Sequence, residues 1–143
     1  MATVRDIVLN RVLFSVEESE TVAAVARQMA EFRVGAILVL RHGVLRGVFS
    51  ERDLMLRVVL DRLDAETTPV RTVMTSQVTT IEESATLEEA MATMHRHKCR
   101  HLPVTRAGVI AGFLSMRDLM DFQLARQAEE LQQMQAYIHG ATA

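Results

Sequence analysis

Apolar positions along the chain change period several times. After an acidic stretch containing a serine, Val22, Val25, Ala26 and Met29 fall at helical spacing, and Leu87, Ala90, Met91 and Met94 do the same later. Acid ahead of an apolar stripe complements the N-terminal end of a helix dipole, so both stretches predict helices. Each is followed by two short apolar, β-branched runs. The first pair is Ala36–Leu40 and Val44–Phe49, joined by Arg41-His42-Gly43; the second is Leu102–Thr105 and Val109–Leu114, joined by Arg106-Ala107-Gly108. These predict hairpins turning on glycine. Another helix is predicted after each hairpin, from Glu51 to Leu60 in the first case and from Met116 to Ile138 in the second. On the longer one Leu124, Leu131 and Ile138 recur every seven residues, with Met120 and Met134 nearby. That stripe fits either packing on the protein's own face or a dimer contact.

The recurrence is a duplication. Val16-Glu-Glu-Ser19 over Ile81-Glu-Glu-Ser84 sets an offset of 65 residues, which holds without a gap from there through "GVFSERDLM" (47–55) over "GFLSMRDLM" (112–120). Upstream, Thr3-Val-Arg-Asp-Ile7 matches Pro69-Val-Arg-Thr-Val73 at an offset of 66, so the first copy has one extra residue near Leu13. Residues 1–60 are the first repeat with its lead-in, 61–68 a polar linker, 69–122 the second repeat, and 123–143 a helical extension and tail. A half of roughly 60 residues buries little core alone, so the two halves are expected to share one module. The fold class is α/β (α+β): two pseudo-symmetric strand-helix-strand-strand-helix repeats and an extended last helix.

Composition narrows the function. With 49% hydrophobic and 24% charged residues in 143, the chain reads as a globular protein. The longest apolar run is strand-sized, well short of the roughly 20 residues that cross a bilayer, and Met1-Ala-Thr-Val-Arg-Asp6 lacks a signal-peptide core. Cys99 is the single cysteine. A cytoplasmic protein with no membrane association is expected. A formal charge of -2, one Tyr, five Phe and no Trp leave little for nucleic acid to hold, which makes it an unlikely partner.

The segment "HRHKCRH" (95–101) invites a metal-site reading, but its counterpart "AEFRVGA" (30–36) keeps no ligand. Residues two apart on a helix diverge by about 200°, so a helix end is the simpler reading. From Ala90 to Arg117 there is no acid among Arg96, Lys98, Arg100, Arg106 and Arg117, and Phe32–Ser50 holds Arg33, Arg41 and Arg46 without one. The two readings are a local positive field for an anion and a solvated charged face.

The best-kept motif is Gly47-Val-Phe-Ser50-Glu-Arg52-Asp53, with Gly112-Phe-Leu-Ser115-Met-Arg117-Asp118. Ser and an acid three residues on form a capping box. The remaining residues fit a nucleotide: amides and Arg for phosphate, a carboxylate for a ribose diol, and a glycine that lets a ligand approach the backbone.

With these motifs, with "RHLPV" (100–104) and with "VMTSQVTTIEESATLEEAM" (73–91), almost the whole chain resembles a tandem pair of CBS domains, the regulatory repeat named after cystathionine β-synthase. The resemblance implies repeats packed sheet to sheet, two related clefts, and association of modules into a disc. It implies an adenine ligand: AMP, ADP, ATP, NAD(H) or S-adenosylmethionine. Carried over, it makes Asp53 and Asp118 ribose acceptors, with Ser50, Arg52, Ser115 and Arg117 near ribose and phosphate. The base is placed against Gly35, Ala36 and Ile37 in one half and Arg100, His101 and Leu102 in the other, with Ser15 and Thr80 at the strand edge. The second cleft, richer in cations, is expected to bind a charged nucleotide more tightly. No nucleophile elbow, P-loop or carboxylate cluster is present, so no catalytic or metal residues are assigned. The expected function is a nucleotide-binding regulatory module, homodimeric, acting on an unidentified protein target. The alternative is a constitutive dimerisation scaffold.

Overall fold

A computed structural model describes residues 1–142. The chain starts with a short helix, α1 (Val4–Val8), followed by β1 (Ser15–Glu17), α2 (Val22–Phe32), β2 (Ala36–Arg41) and β3 (Val44–Ser50). A single turn, α3 (Glu51–Asp53), runs straight into a π-helical stretch, Leu54–Val59, where the first copy's last helix was expected. The second copy has a 3₁₀ turn at Val70–Thr72, then β4 (Ile81–Glu82), α4 (Leu87–His97), β5 (His101–Arg106), β6 (Val109–Ser115) and α5 (Met116–Thr142). Strand limits agree with the periodicity to within a residue, and α5 runs past Ile138.

Each repeat makes its own three-stranded sheet, in the orders β1-β2-β3 and β4-β5-β6, the first pair parallel and the second antiparallel. His42 and Gly43, and Ala107 and Gly108, all have φ between +49° and +83°, the left-handed pair of a type I′ hairpin turn. The hairpins also share a bulge: pairing steps from Val39–Gly47 to Leu40–Leu45, and from Val104–Gly112 to Thr105–Ile110. Alternation then sorts side chains to two faces. Leu38 and Val48 meet Ile110 and Phe113 between the sheets, whereas Ile37, Val39 and Phe49 pack under α2, and Leu102, Val104 and Leu114 under α4.

The lead-ins cross over. Val4, Ile7 and Val8 of α1 are buried in the second repeat's core with Leu87, Met94 and Leu119, and the Val4 and Arg5 amides donate to the carbonyls of Ala85 and Glu83. Val70, Val73 and Met74 enter the first repeat's core, with the Val70 and Arg71 amides donating to Glu20 and Glu18. Burying each such side chain contributes roughly 1.5–3 kcal/mol. The exchange therefore ties the halves into one module, each completing the other's core.

Candidate functional site

The "HRHKCRH" segment is a helix end. Lys98 is left-handed (φ 51°), the Lys98 amide donates to the His95 carbonyl and the Cys99 amide to the Met94 carbonyl, a Schellman closure. Arg33 ends α2 in the same way, through the Val34 amide and the Met29 carbonyl. Cys99 packs at the margin of the second core, where burial pushes its thiol pKa up.

From these helix ends the chain enters β2 and β5 opposite the capping loops. Ala36 pairs with Ser50 and His101 with Ser115, while the Glu51 amide donates to the Gly35 carbonyl and the Met116 amide to the Arg100 carbonyl. The structure thus brings together the base-side and ribose-side residues expected from the sequence, once per repeat. Ser15 begins β1 and Thr80 immediately precedes β4. Ile37 and Leu102 are fully buried in the helix-covered cores, because strand alternation turns their side chains away from the sheet interface.

Both capping boxes form. Asp53 Oδ2 accepts from the Ser50 amide at 3.0 Å, and the Asp53 amide donates to Ser50 Oγ at 3.2 Å. Asp118 Oδ2 accepts from the Ser115 amide at 2.8 Å, and its amide donates to Ser115 Oγ at 3.0 Å. In each case Oδ1 is left over, and in each case a residue of the opposite lead-in region takes it. Thr75 Oγ1 donates to Asp53 Oδ1 at 3.1 Å, with the Arg57 guanidinium 3.7 Å away. At Asp118 the partner is charged: Arg11 Nη1 donates to Oδ1 at 2.5 Å. Burial there would raise the Asp118 pKa, but the Arg11 and Ser115 hydrogen bonds outweigh it and hold the carboxyl below its ordinary value.

The repeated glycines also have a different role from the one expected. A Cβ on Gly47 would lie 2.6 Å from the Thr75 carbonyl oxygen and 2.8 Å from Met74 Sδ, and one on Gly112 would lie 2.9 Å from Val8 Cβ. The space that the sequence offered to a ligand is filled by the crossing lead-ins. Thr75, Arg11 and Arg57 were missed by sequence reasoning because they reach the motif from outside it. Arg57 had a local signal in its i,i+4 spacing from Asp53, whereas Thr75 and Arg11 lie in lead-in segments whose counterparts, Leu9 and Gln77, carry no such side chain.

The cationic stretches are partly neutralised. Arg106 makes a paired bond to Glu83 at 2.6 and 3.0 Å, lowering the Glu83 pKa, while Arg41 and Arg46 lie 3.6 and 3.4 Å from Glu18. Arg117 is exposed, 3.9 Å from Asp121, and Arg52 is exposed as well. Among the described residues no ion pair engages Arg33 in the first copy or Arg96, Lys98 and Arg100 in the second, so positive character remains at both helix ends, with more of it ahead of β5. There His101 is half-buried against the Phe113 ring at 5.3 Å. Burial pushes its pKa down, opposed by Asp118 and Glu51 and reinforced by Arg100. An open groove of about 400 Å³ beside the end of α2 is lined by Arg33, Gly35, Glu51 and Leu54 among others. Of the expected ligand residues, Gly35 alone lines it. No helix among the described residues is long and apolar enough to cross a membrane.

A family model described as "CBS domain" matches residues 4–60 and 70–125. The "CBS domain-containing protein YhcV" of Bacillus subtilis (strain 168) is 30% identical over 128 residues, covering 90% of each chain. Among solved structures, a protein with CBS domains from Burkholderia ambifaria MC40-6 superposes with a TM-score of 0.83 at 33% identity, over 88% of this chain and 96% of that one. "CBS domain protein PAE2072 from Pyrobaculum aerophilum complexed with AMP" gives 0.73 at 31%, over 82% and 89%.

Proposed function

The chain belongs to the CBS-domain family as a tandem pair of its repeats, and from that we propose that it is an adenine-nucleotide-binding regulatory module. The carrying observation is the duplicated capped aspartate, Asp53 and Asp118, whose Oδ1 stands outside its cap beside the start of the central strand. An AMP complex of a relative with the same fold supports the ligand class. AMP, ADP, ATP and NAD(H) all carry the adenosine that such a site recognises.

In this reading a ribose diol exchanges with Thr75 or Arg11 at Oδ1, through charge-assisted hydrogen bonds. Ser50 and Ser115 keep each carboxylate in place. Arg52, Arg117 and Arg100 serve phosphate, His101 and the Gly35–Ala36 edge serve the base, and Ser15 and Thr80 close the rim. Because each Asp is also held by the opposite lead-in, an occupied cleft changes contacts between the halves. That change is the signal a partner protein or a second module reads.

A thermal-shift screen of nucleotide-stripped protein against AMP, ADP, ATP, NAD⁺, NADH and S-adenosylmethionine tests this. A ligand that binds only the folded state raises its stability, so a saturable shift with at least one is expected. No shift from folded, ligand-free protein with any of them overturns the reading and leaves the dimerisation scaffold.

A further inference from the structure

The last buried anchors of α5 are Leu119, inside the second core, and Phe122 at its margin. Every residue from Leu124 to Gly140 is exposed. At 1.5 Å per residue, that is a free-standing helix of about 25 Å. A helix of this length with no packed face is marginal in water, and its stability has to come from a partner.

Its exposed apolar residues are ordered. Leu124, Leu131 and Ile138 are 62%, 56% and 58% exposed and seven residues apart; Met120 and Met134, 54% and 62% exposed, precede Leu124 and Ile138 by four. With Leu124, Leu131 and Ile138 at heptad position a, position d is Met120, Gln127 and Met134. A strict a/d stripe is narrower than a face that packs on a globular core, and it matches the seam of a coiled coil. We infer that this part of α5 pairs with the same segment of a second copy, as a parallel two-stranded coiled coil.

Charge and the polar seam residue select that occupant and orientation. In a parallel pair, position g meets position e of the partner five residues on. Gln123 meets Ala128 and Glu130 meets Gln135, so no like charges are opposed, while Arg126 and Glu129 project outward. Parallel pairing also sets each Gln127 beside its own copy, where the two amides can bond each other. Antiparallel pairing places position d against position a, leaving Gln127 facing Leu or Ile without a partner. The inference does not depend on nucleotide binding.

The test uses the full-length chain carrying Cys99→Ser, so that no native thiol competes. Gln127→Cys is expected to give a disulfide-linked dimer on mild oxidation, whereas Arg126→Cys, at an outward position, is expected to link far less. Adding Leu131→Glu and Ile138→Glu is expected to abolish the link without lowering the module's Tm, since both positions are exposed. An unlinked Gln127→Cys protein, equal linking at Arg126→Cys, or a link that survives the double Glu substitution each overturns the inference.

Discussion

The loops Ser50–Asp53 and Ser115–Asp118 are the same device with different outside partners. Both close the same capping box, with matching distances. They diverge at Oδ1, where the first receives the neutral Thr75 hydroxyl and the second the Arg11 guanidinium. The difference arises in the crossing lead-ins. At an offset of 66, Thr75 corresponds to Leu9 and Arg11 to Gln77, so neither partner has an equivalent in the other half. Duplication preserved what a motif does for itself and let its long-range contacts drift, which gives the module two capping loops with unequal surroundings.

The largest expected contrast is between the glycines. Gly47→Ala forces a Cβ into the Thr75 backbone, and a carbonyl oxygen held in a strand bridge cannot step aside. Gly112→Ala meets Val8 at its Cβ, 2.9 Å away, so relief requires a small shift of α1 as a whole. Overpacking costs about 1–3 kcal/mol, and Gly47→Ala, which meets both the Thr75 backbone and Met74, should lie at the top of that range with Gly112→Ala below it, read by urea unfolding. Equal losses would mean that the two lead-ins sit equally tightly.

Acid sensitivity separates the two loops next. The Asp118 carboxyl is depressed in the folded state, so it contributes stability above its unfolded pKa that is lost as pH falls through the folded one. Arg11→Met removes a main cause of the depression, and acid unfolding of that variant should lose less stability below the ordinary aspartate range than the parent does. An unchanged acid limb would count against the Arg11 contact. His101 acts one window higher. Its depressed pKa means that stability falls as pH drops below about 6.5, the ordinary histidine value. His101→Gln should flatten the curve there, and a persisting decline would point to another group.

The smallest effect is a prediction of sameness. Ser50→Ala and Ser115→Ala each lose one cap, at about 1 kcal/mol, and should match within error in thermal unfolding. A clear difference would show that the boxes are not equivalent.

Much of this was legible in the sequence because it is local. Hairpins turning on His42-Gly43 and Ala107-Gly108, the boxes at Ser50 and Ser115, and the helix end at Lys98 all depend on neighbours within five residues. Face assignment was harder. Ile37 and Leu102 sit one position from Ala36 and His101, and a period of two sends them to the opposite side of the sheet. The role of Gly47 was invisible for another reason: the residues that need its missing Cβ, Met74 and Thr75, are far along the chain. The same distance hid the pairing of Arg106 with Glu83 and of Arg46 with Glu18, which made the cationic stretches look freer than they are.

The proposed function makes the two repeats unequal nucleotide sites, the second, with Asp118, Arg100 and Lys98, the tighter. Calorimetric titration of AMP into the stripped wild-type protein, Asp53→Ala and Asp118→Ala decides this. Losing charged hydrogen bonds to a ribose should weaken the high-affinity phase by about 1.5–3 kcal/mol in Asp118→Ala, leaving that phase intact in Asp53→Ala. A high-affinity phase that survives Asp118→Ala and disappears in Asp53→Ala, or one indifferent to both, would contradict it.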